Sequence, residues 1–219
     1  GTKLTKWDDT KNVLWKKYQE AYSFYLNQNI HVFFSEDYQT KLQKVAEQTQ
    51  PLFEECVKSN EFGELMRTST EYKEWLEQEW ASKSEKVVNT VEEITKYKFP
   101  DDEFTIFVID PKVGGGKYLG NRKIFWGHKE DWENYSMVYL MHEVLHEYLG
   151  NGEIEHAVIE LATDNELRIR LNNDGEYFQE GEEKVGHDFL QETEKKLLPH
   201  WQEYLKSNTS IFEFIKSKK

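Results

Sequence analysis

The sequence lacks features that define several classes of protein. Cysteine occurs once among 219 residues, as Cys56, so neither an intrachain disulfide nor a thiolate zinc cluster can form. Positive charge is in deficit: 28 Lys and Arg against 41 Asp and Glu give a formal net charge of -13, which disfavours nucleic acid as a partner. Apolar runs such as MVYLM (137–141) are far shorter than the roughly 20 residues of a membrane helix, so no membrane span is predicted.

The remaining composition is that of a folded globular protein. Aromatic residues make up 15% and charged residues 32% of the chain, which argues against disorder. The chain begins with Gly1 rather than methionine, so a segment has been removed: either a leader, which favours an exported or cell-envelope protein, or a tag. The sequence gives no indication of the oligomeric state.

Residues 1–99 are predicted to form a largely helical region that packs on the rest of the chain. The stretch 30–34 fits a strand or a turn, Ser35 fits the N-cap of a helix that Pro51 would kink, and a longer helical pattern covers 69–98. The first helix is indicated by large side chains at helical intervals: Trp7, Val13, Leu14, Tyr18, Tyr22 and Tyr25.

Residues 100–219 are predicted to form the functional region, and the pattern changes at Pro100. Together the two regions predict an α+β fold that is predominantly helical. The predicted elements are a strand at 103–110, a turn-rich segment at 111–121, a strand at 122–127, helices at 134–149 and 153–171, a helix after 182 that contains Pro199, and an amphipathic piece at 211–217.

The predicted helix at 134–149 carries the motif HEVLH (142–146). Residues four apart on a helix lie one above the other, so His142 and His146 can direct ring nitrogens at one metal ion. Glu143 lies beside them, where it can act as general base on a water that zinc has acidified. Two histidines on a largely apolar helix would be costly to bury without such a partner.

The following helix offers a third ligand and its support. A His2Glu zinc site takes its third ligand from a separate element, and Glu160 can serve; Asp164, one turn on, can then accept the ring N–H of a ligand histidine. Glu166 is an alternative but has Arg170, not an acid, one turn on. His156, one turn before Glu160, is a second alternative that we interpret as a core or pocket histidine.

HEVLH (142–146) followed by ELATD (160–164) resembles the gluzincin zinc metallopeptidases, the clan that includes thermolysin. The resemblance covers about 100–171 and implies a zincin-like small mixed sheet packed on the HExxH helix and a glutamate helix. The spacing from His146 to Glu160 is shorter than in the thermolysin group, and Ile159 stands where that group has asparagine. The resemblance implies one Zn²⁺ per chain with ligands His142, His146 and Glu160, general base Glu143 and supporting acid Asp164.

The resemblance also implies where a substrate binds. Clan members have a strand before the active-site helix whose free edge pairs with an extended peptide, and they place a later tyrosine or histidine near the oxyanion. His187 and Tyr177 are the candidates for that donor by position. The segment KIFWG, preceded by asparagine, is similar to the clan's edge strand, which implicates Asn121, Lys123, Phe125 and Trp126.

The sequence therefore predicts a zinc-dependent metallohydrolase, specifically a peptidase acting on a peptide or protein. The alternative is a non-catalytic, zinc-stabilised module that binds a peptide or protein, in which His156 completes a closed site. Glu143 favours the enzyme, because a structural zinc site has no use for that glutamate.

Overall fold

The structure of the chain is a computed structural model that describes residues 47, 50, 51 and 54–219. The predictions for 7–25, 30–34 and Ser35 lie outside the described residues. The chain divides into two units, Gly1–Arg67 and Thr68–Lys219; the functional boundary predicted at residue 99 stays a prediction. The described part is an α+β fold, about 60% helical with a small mixed sheet, which confirms the predicted fold class at that level.

Helix α1 (Asn60–Thr95) is the first element with defined bounds and covers most of the helical pattern predicted at 69–98. The Ser59 hydroxyl accepts a hydrogen bond from the Phe62 backbone N–H at 3.1 Å, which satisfies one of the unpaired amides at the helix start. Lys96 has a positive φ of 51° and ends the helix. The buried side of α1 contributes Leu76, Val87, Val91 and Ile94 to the core.

Three strands form the mixed sheet: β1 (Thr105–Val108), β2 (Gly115–Gly120) and β3 (Lys123–Gly127). Their order is β1-β3-β2, with β1 parallel and β2 antiparallel to β3. Phe125, for example, pairs with Phe107 on one side and Lys117 on the other. The segment predicted as turn-rich thus contains a strand, because its glycines hid the β pattern.

The strand order contradicts the prediction that 123–127 is a free edge strand. β3 is central and hydrogen-bonds on both sides, so Lys123, Phe125 and Trp126 cannot offer backbone groups to a peptide. Asn121 lies in the two-residue turn between β2 and β3, where it and Arg122 both have positive φ, of 51° and 57°. Within the three-stranded sheet, the edge nearest the predicted active-site helix is β2.

Helix α2 (Tyr135–Leu149) packs against both β2 and the helical run that follows it. That run consists of α3 (Glu153–Glu160), a π-helical segment (Leu161–Leu167) and α4 (Arg168–Asn172). It agrees with the helix predicted at 153–171. The apolar residues that α2 buries are Met137, Val138, Leu140, Met141 and Leu145.

The remaining elements close the fold around this run. A short hairpin, β4 (Gln179–Glu180) with β5 (Glu183–Lys184), precedes α5 (Gln191–Lys206), which contains Pro199 as predicted. Helix α6 (Ile211–Lys218) begins with a capping box formed by Ser210 and Glu213. Within the part of the chain that the structure describes, no helix has the length and apolar character needed to cross a membrane.

Candidate metal centre

Helix α2 brings the two predicted histidines together at its C-terminal half. His142 and His146 are 2% and 7% exposed, and their Nε2 atoms face each other at 3.3 Å. Two nitrogen atoms that bind one tetrahedral zinc at about 2.0–2.1 Å lie about 3.3–3.4 Å apart. The histidine pair therefore has the separation that one zinc ion requires.

Each ring is held in place through its other nitrogen. Nδ1 of His142 donates to Asp164 Oδ1 at 2.8 Å, and Nδ1 of His146 donates to the Gly150 carbonyl at 3.0 Å. Thr163 donates its hydroxyl to the same Asp164 oxygen at 2.9 Å. Because both Nδ1 atoms are donors, both Nε2 atoms are left as the positions for a metal. Asp164 thus lies where the sequence predicted it.

The two histidines of the pair have opposite pKa shifts. Burial alone would lower the pKa of His142, but the charge and hydrogen bond of Asp164 outweigh it and raise that pKa to about 9. Burial and the neighbouring charge of His142 lower the pKa of His146 to about 4. The two Nε2 atoms face each other at the point where a divalent cation would displace any proton between them.

Two overlapping sets of potential ligands surround this pair. Among the described residues, one set comprises His142, His146 and His156, and the other comprises His156, Glu160 and His187; within each, the ligand atoms lie within 4.8 Å of one another. Glu160 is thus connected to the histidine pair through His156. The sequence offered His156 as a rival ligand one turn before Glu160 but favoured a core or pocket role, whereas the structure places its ring nitrogen in both sets.

Glu160 is completely buried and bound by His187. Its Oε2 accepts from the His187 backbone N–H at 2.9 Å, and its Oε1 accepts from His187 Nδ1. That hydrogen bond raises the pKa of His187. His156 Nε2 lies 3.5 Å from Glu160 Oε1 and, among the described residues, has no hydrogen-bond partner. Burial and the charges of the other histidines lower the pKa of His156 to about 3, so its ring is neutral.

The π-helical segment determines how the side chains of Glu160 and Asp164 are placed relative to each other. It begins directly after Glu160 and contains Asp164, and the Asn165 side chain donates to the Glu160 carbonyl at 3.0 Å. Such segments are rare and occur frequently at functional sites. Here the segment packs on α2, so that Asp164 reaches the ring of His142.

Glu143 points from α2 towards the edge strand of the sheet. Its Oε2 accepts the backbone N–H of Tyr118, in β2, at 2.5 Å. Since that N–H is directed away from β3, the backbone of Gly116, two residues earlier, faces the same side. Burial raises the pKa of Glu143. The predicted general base is therefore close to the outer edge of β2, and the ring of Tyr118, which the sequence did not single out, stacks on His146.

Three other predicted residues lie away from the histidines or are occupied. The hydroxyl of Tyr177 donates to Glu166 and accepts from Trp201 Nε1, so the structure does not bring it to the centre. Glu166 also accepts from Arg170 at 2.7 Å. Trp126 is buried, and its Nε1 donates to Tyr72 and to a serine hydroxyl. His187 is the predicted oxyanion donor that does reach the cluster.

Glu194, on α5, is a member of the site that the sequence did not indicate. It is completely buried, and burial together with the negative charges of Glu160 and Asp164 raises its pKa to about 9. Nothing in its local sequence distinguishes it from the exposed glutamates on the same helix.

Comparison of the chain with models of protein families, with curated proteins and with solved structures gives no match. Function must therefore be inferred from the site itself. Paired imidazoles, a buried carboxylate and an adjacent acid beside a sheet edge are suited to binding a divalent cation and to transferring a proton next to it.

Proposed function

We propose that the chain is a zinc-dependent metallohydrolase of gluzincin type, acting as a peptidase on peptide or protein substrates. The observation that carries the proposal is the pair of Nε2 atoms of His142 and His146, 3.3 Å apart, with Glu143 on the same helix. The mixed sheet, the HExxH helix and the glutamate helix follow one another in the order implied by the zincin-like resemblance. When bound, zinc acidifies a water and polarises a carbonyl group.

The third ligand in this proposal is Glu160. Its carboxylate is completely buried. The acid one turn on, Asp164, orients His142, as the resemblance of ELATD (160–164) to the gluzincins implies. Glu166 is a poorer candidate because Arg170 and Tyr177 already occupy its oxygens. His156 is the competing third ligand, since its ring nitrogen belongs to the same set as those of His142 and His146.

Glu143 is the general base. Its position beside the histidine pair allows it to take a proton from the attacking water on Oε and deliver that proton to the leaving amine. Burial raises the pKa of Glu143, which makes the carboxylate a stronger base than an exposed glutamate. Helix α2, which packs against β2 and the following helical run, holds Glu143 in place for both proton transfers.

The outer edge of β2 is the proposed substrate site. An extended peptide can pair with the backbone of Gly116, next to the Tyr118 N–H that Glu143 accepts, which brings a peptide carbonyl close to Glu143. Gly116 is required there, because the Trp126 ring lies where a Cβ would stand. His187 is the proposed donor to the oxyanion, since its ring lies 6.0 Å from that of His142, centroid to centroid.

The test of this function is the Glu143→Gln variant. We expect it to keep zinc, because Glu143 is not a ligand, and to lose about 10²–10⁴-fold in hydrolysis of a mixed fluorogenic peptide library. Glu133→Gln, an exposed glutamate close to the start of α2, is the matched control and should keep full activity. A Glu143→Gln protein that cleaves at the wild-type rate would refute the mechanism.

One observation favours a second candidate, a zinc-stabilised module that binds a peptide without cutting it. His156 offers a further nitrogen next to His142 and His146, and with Glu160 it could make a four-ligand site of the closed, structural kind. Wild-type protein that binds zinc and retains peptides but cleaves none, with Glu143→Gln binding them equally, would support this module over the peptidase.

A further inference from the structure

The centre contains more ligand groups than one catalytic zinc uses. A catalytic zinc takes three protein ligands and leaves a position for water. The described residues supply five groups in two overlapping sets: His142, His146, His156, Glu160 and His187. If the first cation is bound by His142, His146 and Glu160, two histidines remain, and both face the carboxylate of Glu160.

If Glu160 is the third ligand of the first ion, the ring nitrogen of His156 is left without a partner in the described structure. Its Nε2 is buried without a hydrogen-bond partner, and a buried polar atom in that state destabilises a fold unless something binds it. The atom lies 3.5 Å from Glu160 Oε1. That separation is close to the value of about 3.3–3.4 Å expected for two ligand atoms on one tetrahedral zinc.

His187 can complete such a site. Its Nδ1 contacts Glu160 Oε1, its ring centroid lies 5.0 Å from that of His156, and its side chain is 48% exposed. Gly186 directly before it has a φ of 86°. Only a half-exposed ring in a loop must shift for a cation to replace the proton between His187 and Glu160.

The carboxylates around the histidines are also incompletely hydrogen-bonded in the described structure. Glu160, Asp164 and Glu194 are completely buried, and Glu143 is partly buried beside them. Among the described residues, Asp164 Oδ2 and Glu194 Oε2 have no hydrogen-bond partner. Buried carboxylate oxygens without a hydrogen-bond partner need a compensating partner, which a bound cation supplies.

We propose that His156, Glu160 and His187 bind a second Zn²⁺ next to the first, with the Glu160 carboxylate shared between the two ions. Imidazole nitrogens with one carboxylate form a ligand set suited to zinc. A shared carboxylate would hold the ions about 3.5–4 Å apart, the spacing of two-metal hydrolases. The inference rests on the proposed function only for the ligands of the first ion.

The test is the number of zinc ions bound per chain, measured by calorimetric titration of chelator-treated protein and by elemental analysis after dialysis. We expect two for the wild type, one for His187→Ala, and two for the matched control His200→Ala, which removes an exposed histidine on α5. One zinc in both wild type and His187→Ala would overturn the second site and leave the peptidase proposal standing. No zinc in the wild type would overturn both.

Two further results bear on the same site. If the wild type binds a single zinc that His156→Ala abolishes, the second site is overturned and His156 is the third ligand of the first. A measurement without variants uses Co²⁺ in the wild type: a second equivalent should attenuate the paramagnetic resonance signal of the first, because adjacent ions that share a carboxylate couple magnetically. Strictly additive signals would place the ions apart and contradict the proposal.

Discussion

Single residues at the centre owe their properties to the groups that surround them. His142 and His146 are both nearly buried and one helical turn apart, yet Asp164 raises the pKa of the first to about 9 while burial lowers the pKa of the second to about 4. The pKa difference arises partly from the acceptor at Nδ1, a carboxylate in one case and the Gly150 carbonyl in the other, and partly from the charge of His142 beside His146. A carboxylate at Nδ1 makes a histidine a more basic ligand.

Glu194 gives a prediction about stability at this scale. Its pKa in the folded protein, about 9, lies above the unfolded value, so its contribution to stability is complete below about pH 4.5 and is lost as the pH rises towards 9. Glu194→Gln replaces the carboxyl group with a neutral amide, so this loss of stability at higher pH no longer occurs. With chelator present, we expect Glu194→Gln to exceed the wild type by up to about 3 kcal/mol in unfolding free energy at pH 7, an advantage that shrinks towards pH 5.

The control for this prediction is Glu192→Gln, two residues earlier on the same helix. Glu192 is exposed and paired with exposed Lys196, so its substitution should change the stability little at any pH. Denaturant unfolding of both variants and the wild type between pH 5 and pH 8 measures the difference. An equal pH dependence in Glu194→Gln and the wild type would show that Glu194 is not held protonated.

Some site residues could be predicted from the sequence and others could not. The i, i+4 spacing of His142 and His146 makes them neighbours on any helix, and Asp164 follows Glu160 by one turn of the helical run. Glu194 comes from an element 30 residues further on, and its burial depends on how α5 packs, which no local pattern encodes.

At the scale of elements, the C-terminal end of α2 orients His146, a candidate zinc ligand. Gly150 has φ 93° and ψ −169°, a conformation that L residues rarely adopt, and its carbonyl accepts the Nδ1–H of His146. The turn that terminates the helix is therefore also the support of the second histidine.

Gly150→Ala tests this double role. We expect a destabilisation of about 1–3 kcal/mol from the unfavourable backbone conformation, and about tenfold weaker zinc binding because the Gly150 carbonyl shifts away from His146. Thermal unfolding and chelator competition measure the two effects. Gly63→Ala in α1, where a methyl group meets no atom within 4 Å, should instead leave zinc affinity unchanged and slightly stabilise the helix. Unaltered zinc affinity in Gly150→Ala would contradict the account.

The elements differ in how readily the sequence reveals them. Apolar periodicity indicated α2, the run from α3 to α4, β1 and β3. Strand β2 was missed because GGKYLG contains three glycines and no β-branched residue. Strand order was also wrong, since a pattern within one strand does not say which neighbours pair with it, and β3 proved to be central.

At the scale of the whole molecule, charge and packing act together. The chain carries a net charge of -13, which attracts cations, and the second unit buries carboxylates where the sheet, α2 and the following helical run meet. Glu160 and Asp164 lie on successive turns of the helical run, and Glu194 comes from α5. Their convergence on four histidine rings is a property of the fold rather than of any one motif.

The central claim is that His142 and His146 bind zinc within this fold. Zinc per chain, measured by elemental analysis of zinc-reconstituted and dialysed protein, tests it most directly in the wild type and in His146→Ala. The account predicts at least one tightly held zinc in the wild type and a loss of most of it in His146→Ala, with the helical content of the two proteins equal by circular dichroism. A wild type that retains no zinc would contradict the account.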